Sequence, residues 1–215
     1  MSNSIEVLGI VELDSVAQGY HVLDRMVKAA PVQVMKVAVV NPGKFLIVIT
    51  GEVAEVEESM KRGIAAAGES LLDYLFLPNL HEDVMPALHA RGGSESAGLA
   101  GGSTVAPARG DVADARGDIG ELDALGVIEA FSTTAGIEAA DTAAKEAAVR
   151  IMEIRTGDEL GGKSTATLMG SISEIEAAVA VAGELLSEKQ LLVRTTIIAR
   201  PHDDLAPYVT GSGSS

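Results

Sequence analysis

The chain says nearly the same thing twice. Leu8-Gly9-Ile10-Val11-Glu12 returns 117 residues later as Leu125-Gly126-Val127-Ile128-Glu129. At that offset Ser15, Gly19, Asp24 and Lys28 meet Ser132, Gly136, Asp141 and Lys145, and Ala30, Val32 and Met35 meet Ala147, Val149 and Met152. That is ten identities in the 28 positions from Leu8 to Met35, where unrelated sequences of ordinary composition give roughly two. Two copies of one supersecondary unit predict two similar domains, and similar domains tend to build symmetric objects. A length of 215 residues suits two domains, each with its own core.

Composition narrows the chemistry. There is no Cys, which excludes disulfides, zinc-thiolate sites and cysteine-held iron–sulfur clusters. No Trp and only three Phe and three Tyr leave an aliphatic core. A net charge of −15 disfavours nucleic acid and anionic membranes as partners, because both reward clustered Lys and Arg. No apolar run is long enough for a transmembrane helix. Met1-Ser2-Asn3-Ser4 lacks the basic and apolar stretches of a signal peptide. The expectation is a soluble cytoplasmic protein.

Each half reads βαββαβα. In the first, strand Ile5–Glu12 precedes a helix capped by Ser15, with Gln18 completing a capping box, and Pro31 stops that helix after Ala29. Strand Val32–Val40, turn Asn41-Pro42-Gly43 and strand Lys44–Thr50 follow. Helix Val53–Ala67 carries Val53, Val56, Met60, Ile64 and Ala67 on one face. Strand Leu71–Leu77 and a short helix near His81–His89 close the half.

The second half repeats the order as strand Ala124–Ala130, helix Thr133–Ala147 and strand Val149–Arg155. A Gly-rich turn Thr156–Gly162 leads into strand Lys163–Met169. Helix Ile172–Leu186, capped by Ser171 with Glu174, then strand Gln190–Ala199 and a terminal turn after His202 complete it. This is the pattern of a split βαβ, ferredoxin-like α+β sandwich in tandem. The expected domains are 5–89 and 122–209. Residues 90–121, rich in Gly, Ala, Ser and Asp, read as a flexible linker, and 210–215 as a flexible tail. The two Arg-Gly-Asp tripeptides at Arg109 and Arg116 are chance matches in a low-complexity tract.

Gly157-Asp158-Glu159-Leu160-Gly161-Gly162-Lys163-Ser164 fits the phosphate-loop motif letter for letter. That motif needs a helix starting at its Lys, so that backbone N–H groups and the helix dipole face the phosphates. Here Lys163 opens a β-branched run ended by Gly170, and Asp158 and Glu159 would repel polyphosphate. A glycine-rich hairpin turn is the better reading. His81 and His202 each precede an Asp by two residues. Two isolated His fall short of the three or four convergent ligands a metal needs, and fixing a turn or an edge hydrogen bond suits them better. No metal or cofactor is expected.

These residues resemble the tandem-domain shell proteins of bacterial microcompartments, in the unpermuted arrangement that forms trimers of hexagonal outline. The resemblance rests on Leu-Gly-x-x-Glu at each start, on Asp24-x-x-x-Lys28 and Asp141-x-x-x-Lys145, and on the Gly-Lys hairpins. Gly51-Glu52-Val53 and the endings Leu77-Pro78-Asn79-Leu80-His81 and Ala199-Arg200-Pro201-His202 extend it. It implies that Asn41, Pro42, Gly43 and Lys44, with Gly161, Gly162 and Lys163, line a pore on the symmetry axis. It implies that Lys28, Lys145, Asn79, His81, Arg200 and His202 lie at the tile edge. Asn79 stands where the second half has Arg200, so one edge is less well anchored. Lys44 and Lys163 bring positive charge to the rim and Asp158 and Glu159 negative, so either sign of rim is open. The cysteine-held cluster of some tandem shell proteins has no ligands here.

The resulting expectation is a structural protein, not an enzyme. It forms a homotrimeric pseudohexamer that packs with other shell proteins around encapsulated enzymes and passes small polar metabolites. The alternative on the same scaffold is a ring-forming small-molecule-binding or sensor protein, whose Gly-rich turns would hold an anion.

Overall fold

A computed structural model describes residues 7–89, 123–157 and 160–205. The predicted linker 90–121, the tail 210–215, and Asp158 and Glu159 lie outside the described residues. The first half runs β1 Leu8–Leu13, α1 Val16–Ala29, β2 Gln33–Val40, β3 Lys44–Thr50, α2 Val53–Ala67, β4 Leu71–Leu77 and α3 Val84–His89. The second runs β5 Ala124–Ala130, α4 Thr133–Glu146, β6 Arg150–Thr156, β7 Ser164–Gly170, α5 Ile172–Glu188 and β8 Leu192–Ala199. It closes with a 3-10 turn at Asp203–Leu205.

Each half has a four-stranded sheet, ordered β2-β3-β1-β4 and β6-β7-β5-β8. Every pairing is antiparallel. This is the tandem ferredoxin-like sandwich. The duplication reaches the irregularities. The β2–β3 ladder slips between Val34 and Lys36, and the β6–β7 ladder slips between the matching Ile151 and Glu153. The outer ladders slip at Glu12/Leu13 and at Glu129/Ala130. Bulges at matching positions bend both sheets alike.

The pleat of β1 sorts its side chains between two cores. Val11 and Leu13 join Val22, Met26, Phe45, Ile47, Ile49, Val56 and Met60 under the first half's helices. Leu8 and Ile10 join Leu46, Val48 and Leu75 in a second cluster. That cluster continues into the second half through Ile128, Ile137, Ala140, Ala144 and Leu168. The two halves therefore share one apolar core besides the first half's own. Helix α4 packs on β1 and β4 of the first half as well as on its own sheet.

Local details depart from the sequence reading in three places. Ser15 and Ser171 do cap their helices, accepting from the N–H groups of Gln18 and Glu174 at 3.3 Å each. The return halves of the capping boxes are absent, because both side chains serve other elements. Gln18 Nε2 donates to the Ala66 carbonyl on α2 at 2.6 Å, and Glu174 accepts from the Ala148 N–H at 2.8 Å. Val53 is exposed and off the buried face of α2. Ser59 and Gly63 take that face instead. The Ser59 hydroxyl donates to the Met26 carbonyl at 3.1 Å, and a Cβ on Gly63 would come within 2.6 Å of Met26. Strand β8 starts at Leu192 because Gln190, at φ 60°, belongs to the turn before it.

Candidate functional site

The two hairpins lie side by side. Lys44 Nζ donates to the Gly162 carbonyl at 3.2 Å. Gly157, at φ 63°, opens the second hairpin flush against Val40, and a Cβ there would overlap Val40 Cγ1 at 1.9 Å. Gly162 sits at φ 83° with the Asn41 carbonyl 3.1 Å from where its Cβ would be. Only glycine fits both the close approach and the left-handed backbone at these two points. The Asn41-Pro42 peptide bond is cis. Asn41, Pro42, Gly43 and Gly161 are exposed at the tips, whereas Gly162 is buried.

Neither hairpin lysine points a free charge outward. Lys44 is paired with Glu12 at 2.8 Å and Lys163 with Glu129 at 3.1 Å. The described residues of the phosphate-loop match close a hairpin: the Gly157 N–H donates to the Lys163 carbonyl at 3.0 Å, and Lys163 leads into strand β7 rather than a helix.

Below the hairpins runs a polar seam between the halves, centred on Glu12. Its side chain is 1% exposed. Besides Lys44, it accepts at Oε2 from the backbone N–H of Thr133 at 3.0 Å and of Thr134 at 3.5 Å. A carboxylate at these first helical N–H groups satisfies orphan donors and faces the positive end of the α4 dipole. Asp73, the cross-strand partner of Glu12, accepts from the Ser132 hydroxyl at 2.6 Å and from the Thr134 hydroxyl.

The edge residues divide between the seam and the open surface. Lys145 Nζ donates to the Asn79 carbonyl and, at 2.6 Å, to Asp141. Asp141 also accepts from the His81 N–H at 2.8 Å. So Lys145, Asn79 and His81 meet within one chain. Their counterparts do not. Lys28 has a side chain 70% exposed and pairs with Asp24 on its own helix. Arg200, at φ 48°, donates its N–H to the Asp123 carbonyl, and His202 is exposed. Both histidines fix turns: Nδ1 of His81 accepts from the Asp83 N–H at 3.2 Å, and Nδ1 of His202 from the Asp204 N–H at 3.3 Å. Among the described residues no cluster of three metal-ligating side chains occurs.

Sequence reasoning missed Asp73, Asp83, Ser132 and Thr134. A signal was present: Thr133-Thr134 replaces Val16-Ala17 at the start of the repeated helix, and polar residues there imply a polar neighbour. Among the described residues, a surface groove of about 520 Å³ between α1 and α2 is lined by Arg25, Lys28, Glu58 and Arg62. It brings together no nucleophile and base. No described helix is long and apolar enough to cross a membrane.

The BMC domain profile matches residues 7–80 and again 124–201. The chain is 33% identical over 200 residues to the bacterial microcompartment shell protein PduT of Citrobacter freundii, covering 93% of this chain and 95% of that protein. It is 36% identical over 87 residues to the shell protein EutM of Salmonella typhimurium, covering 39% of this chain and 85% of that one. A microcompartment protein from Desulfitobacterium hafniense, solved by crystallography, superposes with a TM-score of 0.70 at 37% identity, over 94% of this chain and 98% of that one.

Proposed function

Because the chain belongs to the BMC-domain family, with one copy of the domain in each half, we propose that it is a structural shell protein of a bacterial microcompartment rather than an enzyme. Three copies close into a hexagonal tile. Tiles pack with one another and with other shell proteins to enclose enzymes in the cytoplasm. The domain limits 5–89 and 122–209 belong to the same reading.

The observation that carries this reading is the side-by-side placement of the two hairpins. Threefold repetition of that pair yields six converging loops and a central opening. With Lys44 and Lys163 turned into ion pairs, the rim consists of the backbone of Asn41, Pro42, Gly43 and Gly161, with Gly162 buried behind them. Peptide N–H and carbonyl groups at a narrow opening favour small polar solutes. Around the outline, Lys28 and Arg200 stand exposed for contacts between tiles, whereas Lys145, Asn79 and His81 meet Asp141 or one another inside the chain.

Light scattering during gel filtration tests the closure. A mass three times the chain's 22.1 kDa, with hexagonal sheets under negative stain, is the expected result. A monomer that binds a phosphorylated metabolite in calorimetry would favour a sensor instead.

A further inference from the structure

The seam inside the chain has a counterpart that the chain leaves open. Glu129 is the repeat partner of Glu12, and Lys163 of Lys44. They form the same ion pair, at 3.1 Å. Yet the Glu129 side chain is 30% exposed where that of Glu12 is 1% exposed. Among the described residues no helix N-terminus covers it, because the two described copies of that helix are α1 and α4 and neither is placed over Glu129.

The missing cover exists at the other end. Helix α1 repeats α4, so Val16 and Ala17 hold the positions of Thr133 and Thr134. Ala17 is exposed and Val16 half-buried, whereas both threonines are buried. Among the described residues no acceptor reaches the Val16 or Ala17 N–H groups. One molecule thus carries a partly exposed carboxylate in its second half and two helical N–H groups without acceptors in its first.

From this we propose that Glu129 seats on the N-terminus of α1 of a second copy, accepting from its Val16 and Ala17 N–H groups and setting the register of the joint between copies. The inference rests on the trimeric reading above and names the residue that positions that joint.

Three further correspondences follow from the same repeat. Asp141 accepts from His81, and its counterpart Asp24 is exposed opposite an exposed His202. Asp83 accepts from the Ile151 N–H at 3.3 Å, and the counterparts Asp204 and Val34 are both exposed. The third correspondence is a paired change. Asp73 accepts from the Thr134 hydroxyl as well as from Ser132. At the open joint Ala17 replaces that threonine and Arg194, cross-strand from Glu129, replaces that aspartate. Donor and acceptor are lost together, which leaves no orphaned carboxylate at the joint.

The test compares trimer dissociation by sedimentation equilibrium for the full chain, Glu129→Ala, and Val16→Pro. The proline removes one of the two donors at a first helical position, which accepts proline, and follows an extended Ser15. Each variant is expected to weaken the trimer at least tenfold while circular dichroism and the melting of the dissociated chain stay unchanged. If the wild type is a trimer and both variants dissociate as it does, the Glu129 assignment is overturned. If the wild type is itself a monomer, the trimeric reading fails instead.

Discussion

Helix α1 buries three of its fourteen residues, whereas α4, its copy in the second half, buries ten. Both start at a serine cap and carry Asp and Lys four residues apart. They differ in what lies on the far side. Helix α4 is sandwiched between its own sheet and β1 and β4 of the first half. Ala135, Gly136, Ala139, Ala140, Ala143 and Ala144 let it approach both. Helix α1 shows Tyr20 and Val27 on the corresponding side, both exposed. Strands β2 and β6 repeat the contrast. Ile151 and Ile154 of β6 are buried, with α3 packed on that strand, while Val34 and Val37 of β2 are exposed. The chain makes this joint once, internally, and leaves the matching surface of its first half exposed.

The comparison breaks most visibly at Glu12. Glu12→Ala strands Lys44 and the first N–H groups of α4 in a buried seam. It is expected to cost about 3–5 kcal/mol in urea unfolding. A loss no larger than that of an exposed glutamate would mean the seam is not a structural joint.

Within the second hairpin, Gly157→Ala and Gly161→Ala separate contact from backbone. Both residues have φ near +60°, but only Gly157 meets the first half, at Val40. Overpacking added to strain puts Gly157→Ala at about 2–4 kcal/mol. Gly161→Ala, with nothing within 4 Å, should cost about 1–2 kcal/mol. Equal losses by calorimetric melting would remove the hairpin contact from the account.

The two edge lysines give a smaller contrast. Lys145→Ala loses a partly covered pair and a carbonyl contact across the seam, and about 1–2 kcal/mol of unfolding free energy is expected to go with it. Lys28→Ala loses one exposed pair within a helix, about 0.3–0.5 kcal/mol. Any effect of Lys28→Ala is therefore expected in sheet assembly seen by electron microscopy, with unfolding in denaturant almost unchanged. Gln18→Ala, which removes the link from α1 to the Ala66 carbonyl, should lower stability by about 1 kcal/mol. A null result there would restore a purely local role for Gln18.

Much of this architecture was legible beforehand. Strands β3, β4 and β5 and helix α2 fall where the residue pattern placed them, because Gly, Pro and Ser punctuate their ends. The residues after Lys163 also form the strand that their sequence predicts, since a β-branched run cannot open a helix as readily as a strand. The capping boxes did not form, because Gln18 and Glu174 are long enough to reach neighbouring elements, and local spacing does not register such neighbours. Val53 misled for a similar reason: helical periodicity marks a face but not how far a partner covers it.

The sequence alone determined the unit and its duplication, since hydrophobic period, turn residues and repeat identity are all written locally along the chain. Tertiary structure alone decided which copy of each matched pair is buried. Glu12 and Glu129 are the same residue in the same motif, and so are Lys145 and Lys28. What separates them is the neighbour beyond the repeat, and burial is a property of that neighbour as much as of the residue itself.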